Sequence, residues 1–413
     1  MEKMSDYGDK KTACENAVFL SGGKKCAPEI LPFSGVSFGD GAAIAEKFIL
    51  DRCGVNEEKR VAAVVCRDSG YFSIGKRIAL PRETVSFFSF DDGRLDEKIA
   101  EKLLASVSNL SAIVIIGDGE LVSLTVGLAK KLFPLADLLV VPTDYSFCRF
   151  LSENARLVKN GLYFAFDDEV FSKLKKNKVA DALRSVFSKR LLFVEMRVNE
   201  LIGGVFDKKT AVYHLNESIR LSGEYFLEYD YRKLVCATVV SALACEALPF
   251  DNPADRLADV LSTYDLETEP GERSYLAYKI LLKLYGLFLC SEEKMLKVPS
   301  YVFAVRELTA LSEAGTQLFE IQTPPAYLAD DVLLSDVYEK VRGDEVIRAT
   351  VEELTRRIPF GERMIYSLYG GRKHSVESYS SEAKANALKL APAITRGDNL
   401  LKIVWASGFT EWL

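Results

Sequence analysis

Short apolar runs alternate with amphipathic stretches over the first 165 residues. The four clearest runs lie at 61–66, 84–90, 112–116 and 138–141. Runs of this length, bounded by polar residues, are typical of buried strands. Between the second and third runs, Leu95, Ile99, Leu103 and Val107 recur every four residues, which predicts the buried face of a helix. The alternation predicts a parallel sheet with crossover helices.

After this region the apolar residues follow helical spacing. Four long helical segments are predicted at 179–202, 231–248, 272–289 and 333–358. Two adjacent prolines mark 320–331 as a loop. The predicted fold class is therefore α/β followed by all-α. Its three parts are a disordered tail over 1–28, a Rossmann-like domain over 29–165 and an all-helical domain over 166–413.

Composition and charge narrow the class of protein. A chain of 413 residues is too long for one compact core, which agrees with two domains. The net charge of −6 and the pI of about 5.4 argue against a nucleic-acid or anionic-membrane surface. The longest apolar stretch, 234–248, contains Glu246 and is too short to span a bilayer. Scattered cysteines without a Cys-x-x-Cys pair, and no signal-peptide pattern in the first 28 residues, predict a cytoplasmic protein.

Four motifs give the chain a resemblance to a known superfamily. They are "FGDGAAIAEKFI" (38–49), "IVIIGDGELVSLTVGLAK" (113–130), "LLVVPTDYS" (138–146) and "ALKLAPAITRGDNLLKIVWASG" (387–408). Together with the two-part layout, they resemble the dehydroquinate synthase and iron-containing alcohol dehydrogenase superfamily, nearest to the glycerol-1-phosphate dehydrogenases. The resemblance implies a nicotinamide cofactor, NAD or NADP, bound at the turn after the third apolar run.

The turn that this resemblance assigns to the cofactor's diphosphate contains two acids. The implied cofactor-binding residues are Gly117, Asp118, Gly119, Glu120, Pro142 and Thr143. Glycines allow close approach of the backbone, and a helix N-terminus attracts anions. Asp118 and Glu120 compete for the same N–H groups, and each close contact with phosphate would cost on the order of 1–3 kcal/mol. A helix cap that stabilises by about 0.5 kcal/mol is the alternative role for Glu120, so binding of NAD(P) is expected to be weak or lost.

The superfamily's metal site, one carboxylate and two histidines, is largely missing. The resemblance places Asp181 at the carboxylate position, in "KVADALRS". Arg256 and Val260 stand where helical histidines are expected, and Pro270 stands where the last histidine precedes a Gly-Glu pair. None of these three side chains ligates a metal, and Asp181 alone does not hold zinc. We therefore expect no metal, and a guanidinium of Arg256 paired with Asp181 is one alternative arrangement.

The remaining candidate residues give no competing catalytic site. The two histidines, His214 and His374, are not at helical spacing from each other or from Asp181, so ordinary structural roles are expected. Two further acids of the superfamily's substrate pocket are replaced by Ser123 and by Cys148 or Phe150. Asp144 is a nearby substitute, but an acid directly after Thr143 is more often a turn cap. The basic glycine turn "YGGRKH" (369–374) is an anion site or a solvated loop.

Three functions follow from this pattern. The first is a degenerate relative of the dehydrogenases that has lost metal catalysis and keeps weak nucleotide or metabolite binding in the cleft between domains. The second is an active NAD(P)-dependent oxidoreductase on a polyol or polyol phosphate, of the glycerol-1-phosphate dehydrogenase type. The third is a non-enzymatic interaction protein. A small-molecule ligand is the expected partner, and neither nucleic acid nor a membrane is; the sequence leaves the oligomeric state open.

Overall fold

A computed structural model describes residues 35–53, 61–81, 84–91, 96–154, 162–264, 268–291, 300–313, 319–369 and 379–409. The predicted tail, Leu95, His374 and most of the basic turn lie outside these ranges. Two compact units are distinguished. The first comprises 1–178 and 223–246, and the second comprises 179–222 and 247–413.

The first unit contains a six-stranded parallel sheet in the order β1-β6-β5-β4-β2-β3. Its strands are β1 Gly35–Gly39, β2 Val61–Arg67, β3 Val85–Phe90, β4 Leu110–Gly117, β5 Asp137–Pro142 and β6 Leu162–Asp167. The four predicted strands are confirmed. Strand β6 was missed because three of the six residues in 162–167 are aromatic and the stretch has no long aliphatic run.

Helices cover both faces of this sheet, which explains the unbroken apolar runs. The helices of the first unit are α1 Gly41–Cys53, α2 Asp68–Ser73, α3 Glu97–Ala105, α4 Gly119–Leu132, α5 Phe147–Asn154, α6 Asp168–Ser172 and α10 Tyr231–Glu246, with a 3₁₀ turn at Gly75–Arg77. The predicted buried face of α3 was wrong. Ile99 is 51% exposed, whereas Ala100 and Leu104 face the core. The helix begins after the Asp96 cap. Packing against the rest of the unit buries the face that carries Ala100 and Leu104, each one residue after a predicted position.

The second unit is helical. Its helices are α7 Lys176–Ser188, α8 Leu192–Leu201, α9 Lys208–Glu228, α11 Pro253–Leu261, α12 Pro270–Cys290, α13 Tyr301–Glu313, α14 Asp331–Arg342, α15 Glu345–Tyr369, α16 Ser381–Leu390 and α17 Leu400–Ala406. Helices α7 and α9 have one end each in the first unit. Short 3₁₀ turns lie at Lys189–Leu191, Ala326–Ala329 and Ala391–Ala393. The predicted helical second part is confirmed, although two long segments, 179–202 and 333–358, each divide into two helices.

Helix α12 forms the centre of the second unit, with 14 buried residues along its length. Tyr285 and Phe288 on this helix are fully buried, and Phe288 packs edge-on against Phe409 with ring centroids 5.3 Å apart. A helix that is apolar on most sides needs neighbours on most sides. Helices α11, α15 and α17 supply that cover. The apolar segment 272–290 therefore serves as core.

Candidate functional site

The glycine turn lies at the carboxyl edge of the central strand, where open parallel sheets bind ligands. Strand β4 ends at Gly117, whose carbonyl accepts from the Thr143 amide at 3.0 Å, so the ends of β4 and β5 lie side by side. Helix α4 begins at Gly119. A Cβ on Gly119 would lie 2.4 Å from the Ser146 carbonyl oxygen, which only glycine avoids. The close approach therefore serves the protein's own chain.

The first N–H groups of α4 already have acceptors within the protein. The Gly119 amide donates to Ser146 Oγ at 2.7 Å, and the Leu121 amide donates to Asp118 Oδ1 at 2.9 Å. Asp144 in turn accepts from the Ser146 amide at 2.9 Å. Asp118 is thus the N-cap of α4, and Asp144 caps the turn that presents Ser146. The helix N-terminus is thus closed by Asp118, three residues before Leu121, and by Ser146, 27 residues after Gly119.

The two acids of the turn have a cationic partner from another strand. Arg67, the last residue of β2, is almost fully buried, and its Nη2 lies 2.8 Å from Glu120 Oε2. Its Nε lies 3.5 Å from Asp118 Oδ2, and its Nη1 donates to the Asp91 carbonyl at 2.9 Å. The repulsion between these acids and a phosphate, as expected from the sequence, was argued without a cation beside Asp118 and Glu120. The guanidinium instead joins the ends of β2, β3 and β4 through charge-assisted hydrogen bonds.

Two other helix N-termini at this edge are closed in the same way. Asp167, fully buried at the end of β6, accepts from the Gly41 amide at 2.8 Å and from the Val170 amide at 2.9 Å. Arg77 donates to the same carboxylate at 2.7 Å. Asp40 accepts from the Ala42 amide at 2.9 Å. Helices α1, α4 and α6 therefore each direct their first N–H groups at a carboxylate or hydroxyl of this chain.

These contacts test whether the edge fits a nicotinamide diphosphate, and it does not. An entering phosphate would have to displace Asp118 and Ser146 from two N–H groups of α4. It would also face Glu120 at the same turn. Of the other implied residues, Pro142 is buried as the last residue of β5, and Thr143 uses its amide in the Gly117 contact. The glycine geometry of a cradle is present, but two of its donors, the Gly119 and Leu121 amides, are occupied.

In the second unit, two of the positions assigned to metal ligands lie together. The Asp181 carboxylate Oδ1 accepts from the Glu272 amide at 2.8 Å, and a Cβ on Gly271 would lie 2.2 Å from the Asp181 carbonyl oxygen. The first turn of α12, beginning at Pro270, thus packs directly on Asp181 of α7. The two assigned positions are therefore neighbours in the folded chain. Their chemistry is different, because a backbone N–H occupies the carboxylate oxygen and proline offers no donor atom.

Arg256 forms ion pairs within its own neighbourhood. Its Nε lies 2.8 Å from Asp251 Oδ2 and its Nη1 lies 3.2 Å from Asp259 Oδ2. The ion pair with Asp181 stays a prediction. His214 is 7% exposed in α9, beside the ring of Tyr213. Across the described ranges, no group of three or more His, Cys, Asp or Glu side chains is arranged to hold a metal. The residues present at the assigned positions do not fit the superfamily's metal.

The substituted pocket positions are structural or exposed. Ser123 is exposed on α4, and Phe150 is buried in the core of the first unit. Sequence reasoning missed Arg67, Ser146 and Asp167. The arginine could have been found, since it follows an apolar run directly and so must lie at the carboxyl edge.

Within the described residues, no helix has the length and apolar character needed to cross a membrane.

The chain shares its fold with solved alcohol dehydrogenases and with a sulfoacetaldehyde reductase. Its similarity to an alcohol dehydrogenase from Oenococcus oeni has a TM-score of 0.53 at 13% identity, covering 89% of this chain and 97% of that one. For sulfoacetaldehyde reductase from Bifidobacterium kashiwanohense, solved with NAD⁺, the TM-score is 0.51 at 14% identity, covering 93% and 97%.

A third solved structure agrees with the first two. The archaeal halo-thermophilic alcohol dehydrogenase ADH/D1 from a Red Sea brine pool, bound to NZQ, gives a TM-score of 0.52 at 13% identity, covering 92% of this chain and 97% of that one. No protein-family model and no curated protein matches the sequence. At these identities the likeness establishes the fold alone, and the residues of this chain decide the chemistry.

The Arg67–Glu120 pair is testable by a double-mutant cycle. Arg67→Met is expected to lower the free energy of unfolding by about 1–3 kcal/mol, because it removes hydrogen bonds to Glu120 and the Asp91 carbonyl. Glu120→Gln alone is expected to cost less, since Glu120 is 60% exposed. Urea denaturation of both single variants and the double variant measures the coupling, expected at about 0.5–1 kcal/mol. Strict additivity would show that the ion pair does not stabilise the turn.

Proposed function

We propose that this protein is a non-dehydrogenase member of its fold class, without metal-dependent hydride transfer, that binds a small metabolite. The observation that carries the proposal is the closed N-terminus of α4, where Asp118 and Ser146 take the N–H groups that a cofactor diphosphate would need. The replacement of two imidazole positions by Arg256 and Pro270 supports it independently. In the superfamily that the sequence resembles, a bound metal would act as the Lewis acid that polarises the substrate oxygen, and neither Arg256 nor Pro270 can ligate that metal.

The alternative function is an active NAD(P)-linked oxidoreductase acting on a polyol or polyol phosphate. Its support is the shared fold, since one of the similar structures was solved with NAD⁺. For this chain it would require movement of Asp118 away from the Leu121 amide and a metal held by other residues. A non-enzymatic interaction protein is the third candidate, and it predicts no response to either kind of ligand.

Thermal unfolding of the full chain with NAD⁺, NADH and NADP⁺, each with and without Zn²⁺ or Fe²⁺, separates the first two functions. A ligand present at about 1,000 times its Kd adds about 4 kcal/mol to the free energy of unfolding. We expect no stabilisation by any dinucleotide and none by either metal. Joint stabilisation by a dinucleotide and a metal, with oxidation of a polyol, would establish the oxidoreductase and refute the proposal.

A matched variant tests whether the acids themselves exclude the dinucleotide. Asp118→Gly together with Glu120→Ser recreates a Gly-Gly-Gly-Ser turn and frees the Leu121 amide while leaving Arg67 in place. This double variant is expected to gain stabilisation by NADH that the wild type lacks. A Lys130→Ser variant, on the last turn of the same helix, serves as the control and is expected to gain none. If the double variant stays unresponsive, Asp118 and Glu120 are not what prevents binding.

A further inference from the structure

Four cationic side chains surround a pair of buried tyrosines in the second unit. Tyr275 and Tyr278 of α12 have ring centroids 5.8 Å apart and are at most 5% exposed. Three of the cations have a carboxylate partner: Arg184 with Glu272 at 3.5 Å, Lys279 with Glu362 at 2.6 Å and Arg357 with Glu353 at 2.6 Å. The fourth, Arg190, has none among the described residues. The cluster therefore has one positive charge in excess.

Arg190 is held in a fixed and poorly solvated position. It lies in the 3₁₀ turn Lys189–Leu191, and its guanidinium carbon is 4.5 Å from the centroid of the Phe187 ring. Its Nε is buried without a hydrogen-bond partner in the described chain. Burial lowers the pKa of the guanidinium, Tyr278 partly opposes this, and the like charge of Arg357 lowers the pKa further. A buried cation without a counter-ion is costly unless a ligand supplies the negative charge.

The groups next to Arg190 add hydrogen-bond donors. Burial raises the pKa of Tyr275 and of Tyr278, so both phenols stay protonated at neutral pH. The Tyr275 hydroxyl is only weakly engaged, at 3.5 Å from the Ile358 carbonyl. On the opposite helix α15, Gly361 faces Tyr275 and Phe187, and a Cβ there would be 3.5 Å from the Tyr275 hydroxyl. The backbone of α15 at this point therefore lies next to the phenol, without a side chain of its own between them.

We propose that Arg190, with Tyr275, Tyr278 and Arg357, forms a binding site for the oxyanion group of a small ligand, a phosphate or a carboxylate. A guanidinium presents planar paired donors that match both kinds of group, and phenol hydroxyls complete the coordination. The bound anion would neutralise the excess charge of the cluster. This site lies wholly within the helical unit and does not use the glycine turn, so it stands or falls separately from dinucleotide binding.

Isothermal titration of the full chain with inorganic phosphate and, in a separate arm, with acetate tests the site at constant ionic strength set by chloride. Wild-type protein is expected to bind at least one of the two anions saturably with one site. Arg190→Met keeps the aliphatic stem over Phe187 and removes the charge, and it is expected to weaken binding at least tenfold. The stronger of the two anions identifies the ligand group as phosphate or carboxylate.

Two controls make the result specific. Arg356→Met removes a 74% exposed arginine next to Arg357 in the chain and is expected to leave anion binding within twofold of wild type. Arg190→Met is expected to melt at or above the wild-type temperature in chloride alone, because it deletes an uncompensated charge. Phosphate should then raise the melting temperature of the wild type and not of this variant. Absence of saturable binding of both anions, or unchanged binding by Arg190→Met, overturns the proposal.

Discussion

Gly271→Ala is expected to destabilise the protein by about 3 kcal/mol or more. Its Cβ would lie 2.2 Å from the Asp181 carbonyl oxygen and 2.9 Å from Asp181 Oδ1. Both contacted atoms belong to a packed helix, so the first turn of α12 must move away from α7. That movement breaks the hydrogen bond from the Glu272 amide to Asp181 and opens the core around α12. Urea denaturation measures the loss.

Gly286→Ala is the matched control, because it lies on the same helix with nothing within 4 Å of the added Cβ. Alanine is the better helix former, so this variant is expected to be more stable than wild type by up to about 1 kcal/mol. Changes of opposite sign in the free energy of unfolding at these two glycines would separate the effect of the close contact from that of helix propensity. A Gly271→Ala variant as stable as Gly286→Ala would mean that α12 does not pack on Asp181 as described.

Glu195→Gln is expected to stabilise the protein by about 2–3 kcal/mol near pH 7.5. Glu195 is fully buried on α8, accepting from the Tyr285 hydroxyl at 2.9 Å and from the Leu400 amide at 2.7 Å. Burial raises its pKa from 4.5 to about 7, more than these two hydrogen bonds lower it. A glutamine amide keeps both contacts, accepting from Leu400 and donating to the Tyr285 oxygen, without a buried charge.

The pH dependence has a definite sign. Below pH 4.5 the carboxyl is protonated in both the folded and unfolded chains. Between 4.5 and about 7 the unfolded chain loses the proton first, so the free energy of unfolding of the wild type falls as the pH rises. The variant is expected to lack this decrease and to match the wild type near pH 5. Burial lowers the pKa of Lys402 to about 8, so that group affects only the higher range.

Chemical denaturation at several pH values between 5 and about 7.5 measures this difference. Glu200→Gln, on the same helix with a carboxylate that is 29% exposed, is the control and is expected to leave the slope unchanged. If Glu195→Gln were less stable than wild type near pH 7.5, the hydrogen bonds to the ionised carboxylate would outweigh its burial. The ionised Glu195 carboxylate would then stabilise the second unit through its hydrogen bonds to Tyr285 and Leu400.

Much of the fold could be predicted from the sequence because strands and helices are indicated by local patterns of residues. Strands β2, β4 and β5 are continuous aliphatic runs, since helices bury both faces of a parallel sheet and leave no polar face to interrupt them. The glycines of the central turn and the missing imidazoles at 256 and 270 are also properties of single positions. Side-chain identity alone establishes that neither arginine nor proline can replace a zinc-binding histidine.

The sequence by itself thus determined the alternation of strands and helices and the helical second part, and it places non-ligating side chains, Arg256 and Pro270, where the resemblance expects histidines. Only the tertiary structure decided the electrostatics of the glycine turn, because Arg67 and Glu120 lie 53 residues apart and meet where β2 and β4 become neighbours. It likewise decided that Asp181 receives a backbone N–H from α12, and that the Arg190 guanidinium lies over the Phe187 ring. Ion pairs and caps between distant segments depend on strand order and helix packing, which no local pattern of residues specifies.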